Sequence, residues 1–382
     1  MKKLLVALLA LMMFTACSSG SGSKNSESVK IGLNFELTGE VASYGNSEAD
    51  AVMLAIKHAN EDGGVLGKEI VPVKLDNQSD QAETVSVQTK LATVEKVTGI
   101  IGPAVSGLTA AVYPVANEYG VVSISASATA DGITQDENGD VFDYAFRVCF
   151  LDSYQGLAMA KFVSSELGAS KAVVIGDSSS DYAKGLSKSF INQFTSMGGS
   201  IVAEESYVEG DTEFNSVLTK IKDMDFDVIY IPGYYGEVSL IVKQARAMGI
   251  NVPITGGDGF DAPELLQIAG PEALNDVYFT TAYTTVTTDS NVLDFVEAYK
   301  AEYNKDPDMF AALAYDAAGI LIQAIEDAGS DEPEAVKDAL VAMDAYQGVT
   351  GKISFDELHN AEKSVLVVEL VDGVQANSIE VE

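Results

Sequence analysis

The sequence predicts an α/β protein built as two lobes, each a parallel sheet flanked by helices. Three observations carry that reading. Apolar runs of strand length alternate with helical stretches, the alternation comes in two successive series, and 382 residues suit two domains of ~150 each. Strands separated by helices favour parallel pairing through right-handed crossovers. Hydrophobic residues make up 47% of the chain, enough to give each lobe a core and to exclude wholesale disorder.

Taken in order, residues 29–35 are a β-rich apolar run. Ser47-Glu48-Ala49-Asp50 has the form of a capping box, and Val52, Ile56 and Ala59 then share one helical face up to the stop signal Gly63-Gly64. A strand over 70–75 is followed by a helix over 80–97, opened by Asp80 and Glu83. Strands over 98–101 and 121–125 flank a helix over 106–119. The second series places strands at 172–176, 201–207, 228–231, around Ile254, and at 277–280. Helices over 181–197, 212–224, 236–248 and 262–268 fit between them. Long helices over 290–303 and 310–328 follow.

Ahead of the first strand lies a targeting segment. Met1-Lys2-Lys3 is basic, and residues 4–14 are an unbroken apolar run, too short for the ~20 residues of a membrane-spanning helix. Phe14-Thr15-Ala16-Cys17 then sets small residues before a cysteine. Basic, apolar, small is the secretory pattern. The cysteine makes it resemble a bacterial lipobox, with residues 1–16 as the signal peptide and Cys17 lipidated; the alternative is a plain export signal with an incidental cysteine. The serine- and glycine-rich stretch in residues 17–28 reads as a flexible tether. Cys149 is then the one remaining thiol, expected as a small buried hydrophobe.

Lys and Arg number 23 against 57 Asp and Glu, a formal charge of −34. Such a surface repels phosphate backbones, so no nucleic-acid partner is expected. No P-loop is present, since Gly67-Lys68-Glu69 lacks the hydroxyl residue and the upstream glycine, and no G-x-G-x-x-G follows the first strand. His58 and His359 are the two histidines; neither sits in a metal motif or beside a nucleophile, and both are expected to be structural or exposed. The reading is therefore a non-enzyme without metal or cofactor.

What remains are polar residues just past strand ends, where open α/β sheets bind ligands. Gly102-Pro103-Ala104-Val105-Ser106-Gly107 leads into a helix start whose N–H groups attract an anion such as a carboxylate. There Ser106 either adds a hydroxyl donor or merely caps its own helix. Ser125-Ala126-Ser127-Ala128-Thr129 follows another strand with small residues that let backbone approach a ligand. Asp258, flanked by Gly257 and Gly259, is either a turn aspartate or a carboxylate presented to a cleft. Tyr182, Tyr234 and Tyr235 lie near strand ends of the second series. Together these suit a small zwitterion.

The segments also resemble, in order over nearly the whole mature chain, the branched-chain amino-acid-binding proteins of bacterial ABC importers, the leucine/isoleucine/valine-binding family. The matches include Leu37-Thr38-Gly39, Tyr44-Gly45, Gly102-Pro103 with Ser106-Gly107, and Phe146-Arg147 with Asp152 and Gln155-Gly156. They continue through Asp181-Tyr182-Ala183-Lys184-Gly185, Pro232-Gly233-Tyr234-Tyr235 and Gly256-Gly257-Asp258-Gly259-Phe260. The resemblance implies the type I periplasmic-binding fold, two Rossmann-like lobes joined by a three-strand hinge. An N-terminal lobe of 29–150 with 283–354 and a C-terminal lobe of 151–282 with 355–382 are expected. It further implies that Ser106, with Thr129 beside it, holds a ligand carboxylate. The Ser127 carbonyl, Thr129 and Asp258 would take its ammonium, and Tyr44, Tyr182 and Tyr234 would line the cleft.

Two departures from the family pattern stand out: Asp258 in place of glutamate, and Glu36 where many members have proline, the latter expected to bear on its loop alone. The implied function is capture of an α-amino acid, Leu, Ile or Val first, for delivery to an ABC permease, with another small amino acid, an amide or urea-like ligand, or a ligand-sensing receptor module as alternatives. The cysteine-anchored tether resembles the Gram-positive form, extracytoplasmic and held to the cell membrane by lipid on Cys17.

Overall fold

The computed structural model describes residues 28–381. The signal segment 1–16, Cys17 and the tether up to residue 27 lie outside the described residues.

β1 (Val29–Phe35), β2 (Ile70–Asp76), β3 (Gly99–Ile101), β4 (Val122–Ser125) and β5 (Ala145–Arg147) make one all-parallel sheet in the order β2-β1-β3-β4-β5. Between them run α1 (Ala42–Glu61), α2 (Gln81–Lys90) and α3 (Ser106–Tyr119). Helices cover both faces of such a sheet, which is why β1 reads as a nearly continuous apolar run and is buried along most of its length. α4 (Asp152–Ser165) then opens a second series. In it β6 (Lys171–Asp177), β7 (Ser200–Tyr207), β8 (Val228–Ile231), β9 (Ile254–Gly256) and β10 (Val277–Thr281) alternate with α5 (Asp181–Ser196), α6 (Asn215–Ile221), α7 (Tyr235–Ala247) and α8 (Pro263–Ala269).

The chain next returns to the first lobe as α9 (Ser290–Tyr303), α10 (Met309–Ala328) and α11 (Pro333–Ala342), with α10 packed against α1. By length and apolarity α10 could cross a membrane, but it is mostly buried and serves as a core helix. A small antiparallel sheet of β11 (Tyr346–Gly348), β12 (Gly351–Phe355) and β13 (Ala361–Glu362) follows. Finally β14 (Val365–Val371) and β15 (Val374–Val381) join the second sheet, in the order β15-β14-β10-β9-β8-β6-β7.

The expected two-lobed α/β architecture is the one found, and the chain crosses between the sheets three times. The elements differ from expectation in ways that have physical causes. The second sheet is not wholly parallel, because β14 runs antiparallel to β10 and β15 antiparallel to β14. The turn Asp372-Gly373, with φ of 51° and 77°, closes that hairpin; an Asp-Gly pair between apolar runs is the sequence signal for it. The capping box is overturned. α1 begins at Ala42, so Ser47 and Glu48 lie inside the helix and face inward, and the Ser47 hydroxyl donates to Asp308 (2.7 Å) at the start of α10. Asp80 does cap α2, accepting from Glu83 N at 2.8 Å, but the regular helix stops at Lys90 and continues as a wider turn to Glu95.

α4 had no sequence expectation. It packs on α5 at Gly156, where an added Cβ would lie 2.5 Å from Ser189 Cβ. His58 meets the Tyr315 hydroxyl at 2.9 Å, His359 stacks on Phe146 with centroids 4.2 Å apart, and Cys149 is buried. All three are packing residues.

Candidate functional site

The first wall of the site is made by loops leaving β3 and β4. Gly102 turns the chain with φ of +98°, and an added Cβ would sit 2.3 Å from the Asn34 carbonyl, so only glycine fits. Val105 is the extended residue before α3, and Ser106 is the first residue inside it. The Ser106 hydroxyl makes no cap in α3. It accepts from Ala130 N (3.1 Å) and donates to no protein group, so a buried hydroxyl proton is unspent.

The Glu36 expectation is overturned. Glu36 does not merely shape its loop: its buried carboxyl accepts from Ala104 N (3.2 Å) and Val105 N (3.3 Å), amides that the sequence offered to a ligand anion. Burial, against those hydrogen bonds, pushes the Glu36 carboxyl up to about 7.

The loop after β4 is held from below by the buried Arg147. Its guanidinium donates to the Ala128 (3.0 Å) and Ala130 (2.7 Å) carbonyls, and its Nε to Asn360 (2.7 Å). Asp152 N donates to the Thr129 carbonyl at 2.9 Å. The Ser127 hydroxyl donates to the Ala104 carbonyl (2.9 Å) and meets the buried carboxyl of Glu48, which burial raises well above the usual carboxylate range. Thr129 is buried and its hydroxyl has no hydrogen-bond partner.

The second wall is centred on Asp258, which follows β9. Its Oδ1 accepts from the Tyr182 hydroxyl (2.7 Å) and from Gln155 Nε2 (3.0 Å), while its N–H donates to Gln155 Oε1 (3.2 Å). The Tyr182 hydroxyl accepts from Gly259 N at 3.0 Å, and its ring stacks on half-buried Tyr234, centroids 5.0 Å apart. Tyr234 meets Tyr44 edge-on at 5.8 Å. Tyr44 stacks on Phe310 (4.1 Å), and its hydroxyl crosses between the lobes, donating to the Gly259 carbonyl and accepting from Tyr235 N (3.1 Å).

Asp152, at the start of α4, joins the two walls. Its Oδ1 accepts from Gln155 Nε2 (3.3 Å), and its buried Oδ2 has no partner. The sequence offered an acid just past a strand end there, but no local pattern gave it a role. Burial raises Asp258 to about 6, held back by the Tyr182 and Gln155 hydrogen bonds; burial and then the charge of Asp258 raise Asp152 well above its ordinary value.

Among the described residues neither acid has a Lys or Arg in an ion pair. Two buried carboxyls in one hydrogen-bond network, with no pairing cation, favour an incoming cation. The facing wall supplies the unspent hydroxyl of Ser106, and the Thr129 hydroxyl lies beside the Asp152 carboxyl. Ser106, Ser127, Thr129, Tyr182, Asp258, Tyr44 and Tyr234 thus fall in one region. Among the described residues no cluster of His, Cys, Asp and Glu is arranged to hold a metal. From Ser106 outward a cleft of about 990 Å³ opens between the lobes, with Ala130 and Asp131 on one side and Ser153 and Lys188 on the other. The Ser153 hydroxyl spans it to Asp131 at 2.8 Å.

Comparison with known proteins gives the same architecture. The sequence model of the family described as "Periplasmic binding protein" matches residues 28–375. The branched-chain amino acid transporter substrate binding protein LivJ of Streptococcus pneumoniae, solved in complex with isoleucine, superposes with a TM-score of 0.88. Identity is 43%, over 93% of this chain and 99% of that one. The leucine binding protein LivK of Thermotoga maritima superposes with a TM-score of 0.86 at 36% identity, over 93% and 99% of the two chains. The Leu/Ile/Val-binding protein BraC3 of Rhizobium johnstonii is 30% identical over 331 residues, 86% of this chain and 88% of its own length.

Proposed function

The chain belongs to the periplasmic binding protein family, and on that premise we propose that it is the extracytoplasmic solute-binding component of an ABC importer. It captures an α-amino acid, Leu, Ile or Val, between its lobes and delivers it to a membrane permease. No bond is made or broken, so it is not an enzyme. The observation that carries this reading is the pairing of two buried carboxyls lacking a cation, Asp152 and Asp258, with the unspent Ser106 hydroxyl on the facing wall. That polarity matches a zwitterion.

In this reading Ser106 and Thr129 take the ligand carboxylate. The Ser127 carbonyl, Thr129 and Asp258 take the ammonium. Tyr44, Tyr182 and Tyr234 surround the side chain. Binding draws the lobes together, and the permease reads the closed form. Export removes residues 1–16, and lipid on Cys17 holds the protein to a Gram-positive cell membrane.

Calorimetry against the common amino acids and their 2-keto acids tests the reading. Micromolar or tighter binding of a branched-chain amino acid, with at least hundredfold weaker binding of its keto acid, is the expected result. Preference for keto acids or neutral sugars overturns it.

A further inference from the structure

We propose that Glu36 is a specificity-determining residue of the ligand site: its side chain fills the amide seat ahead of α3, leaves the ligand carboxylate to Ser106, and makes uptake of a proton accompany binding of a carboxylate-bearing ligand. This rests on the amino-acid reading above.

The geometry begins with close packing. Glu36 directly follows β1, and α1 crosses its main chain at Gly45, where an added Cβ would lie 2.3 Å from the Glu36 carbonyl oxygen. Fixed there, the fully buried side chain reaches the Ala104 and Val105 amides. A helix start that would hold a ligand anion already holds the chain's own. The next residue is Ser106, whose unspent hydroxyl proton is the neighbouring donor.

A ligand carboxylate at Ser106 therefore comes close to Glu36 in a site screened from water, where like charges interact strongly. The groups facing Glu36 bring no positive charge. Asn77, after β2, hydrogen-bonds it; Glu48 of α1 and Tyr234 of the second lobe interact with it electrostatically; no Lys or Arg is among them. Glu36 is already raised to about 7 by burial. A neighbouring anion raises it further, so the proton that neutralises Glu36 comes in from solvent.

The sign follows from linkage. A group whose pKa rises on binding supports binding below its free-state value, and that support is lost as pH rises. Affinity for a carboxylate ligand should then fall above pH ~7, by at most tenfold per pH unit. A ligand with an uncharged end in place of the carboxylate should not show this component.

The test is calorimetric titration of the full mature protein with L-leucine and L-isoleucine from pH 6 to 8.5, in buffers of high and low ionisation enthalpy. Glu36→Gln is compared with wild type. Proton release by Asp258 and Asp152 on meeting the ammonium is common to both proteins and cancels in the difference. Greater proton uptake in wild type near pH 7.5, and a flatter pH dependence of affinity in Glu36→Gln, support the proposal. Equal proton counts and equal slopes overturn it. Should the variant fail to fold, wild type is titrated with L-leucine and L-leucinol, and greater uptake with L-leucine supports the proposal while equal uptake overturns it. Amino-acid binding without Glu36-dependent uptake sinks this proposal alone; absence of amino-acid binding by wild type sinks the functional reading as well.

Discussion

Held by Tyr182 and Gln155 and screened from water, the Asp258 carboxyl is raised to about 6. In the ligand-free protein its stabilising contribution is present below the unfolded value near ~3.9 and is lost as pH rises through about 6. At pH 7 it therefore strains the empty site and waits for a cation. Asp258→Asn should weaken amino-acid binding at least hundredfold in calorimetry, since breaking a buried charge pair costs about 3–5 kcal/mol. The ligand-free variant should melt no lower than wild type. Ser106→Ala removes the unspent donor; a hydrogen bond to a charged group is worth about 1.5–3 kcal/mol, so affinity should fall roughly ten- to a hundredfold. An unchanged affinity would return Ser106 to a purely structural role. These two residues were legible because each stands in a small-residue loop past a strand end. Glu36 was not, because the Ala104 and Val105 amides lie far along the chain, and Asp152 was not, because the charge that acts on it is that of the distant Asp258.

At the scale of elements, α1 brings the first lobe against the second. Tyr44→Phe keeps the stack on Phe310 and the edge contact with Tyr234 but removes both hydroxyl bonds that cross to Gly259 and Tyr235. Each such bond contributes about 0.5–1.5 kcal/mol. If the closed form uses them, ligand should dissociate several-fold faster in stopped-flow measurements, with little change in the association rate. Equal dissociation rates would remove Tyr44 from closure. Strand and helix periodicity located most elements of both series, and α3 and α9 came out at the expected residues. The start of α1 was misread because Ser47 and Glu48 imitate a helix terminus locally, while their partners come from α10 and the loop after β4.

For the whole molecule the buried acids add up. Burial raises Glu36 and Asp261 to about 7 and Asp258 and Asp308 to about 6. Each contributes stability that is lost as pH rises from ~4 through those values, and self-repulsion at a formal charge of −34 acts in the same direction. The ligand-free protein should melt at a higher temperature at pH 5.5 than at pH 8 in scanning calorimetry. Ligand at 100 times Kd should add about 2.7 kcal/mol at either pH. The anchor is tested by cell fractionation. Two acyl chains hold a protein stably where one does not, so Cys17→Ala should move the protein from the membrane fraction to the medium or leave it unprocessed. A processed variant that still fractionates with membranes would rule the lipid out.

The α/β class, the two series, the polar loops past strand ends and the lack of catalytic motifs were all legible in the residues alone. Each of these is written in local terms: periodicity, turn residues, small residues after strands, and charge. It took the folded chain to show that Glu36 occupies the amides ahead of α3, that Glu48 turns inward to Ser127, and that Gln155 ties Asp258 to Asp152. The hydrogen bonds from Ala104 to Glu36, Ser127 to Glu48 and Gln155 to Asp258 span 68, 79 and 103 residues. No local period encodes such pairs. They form because packing buries these polar groups and leaves each other as the partners within reach.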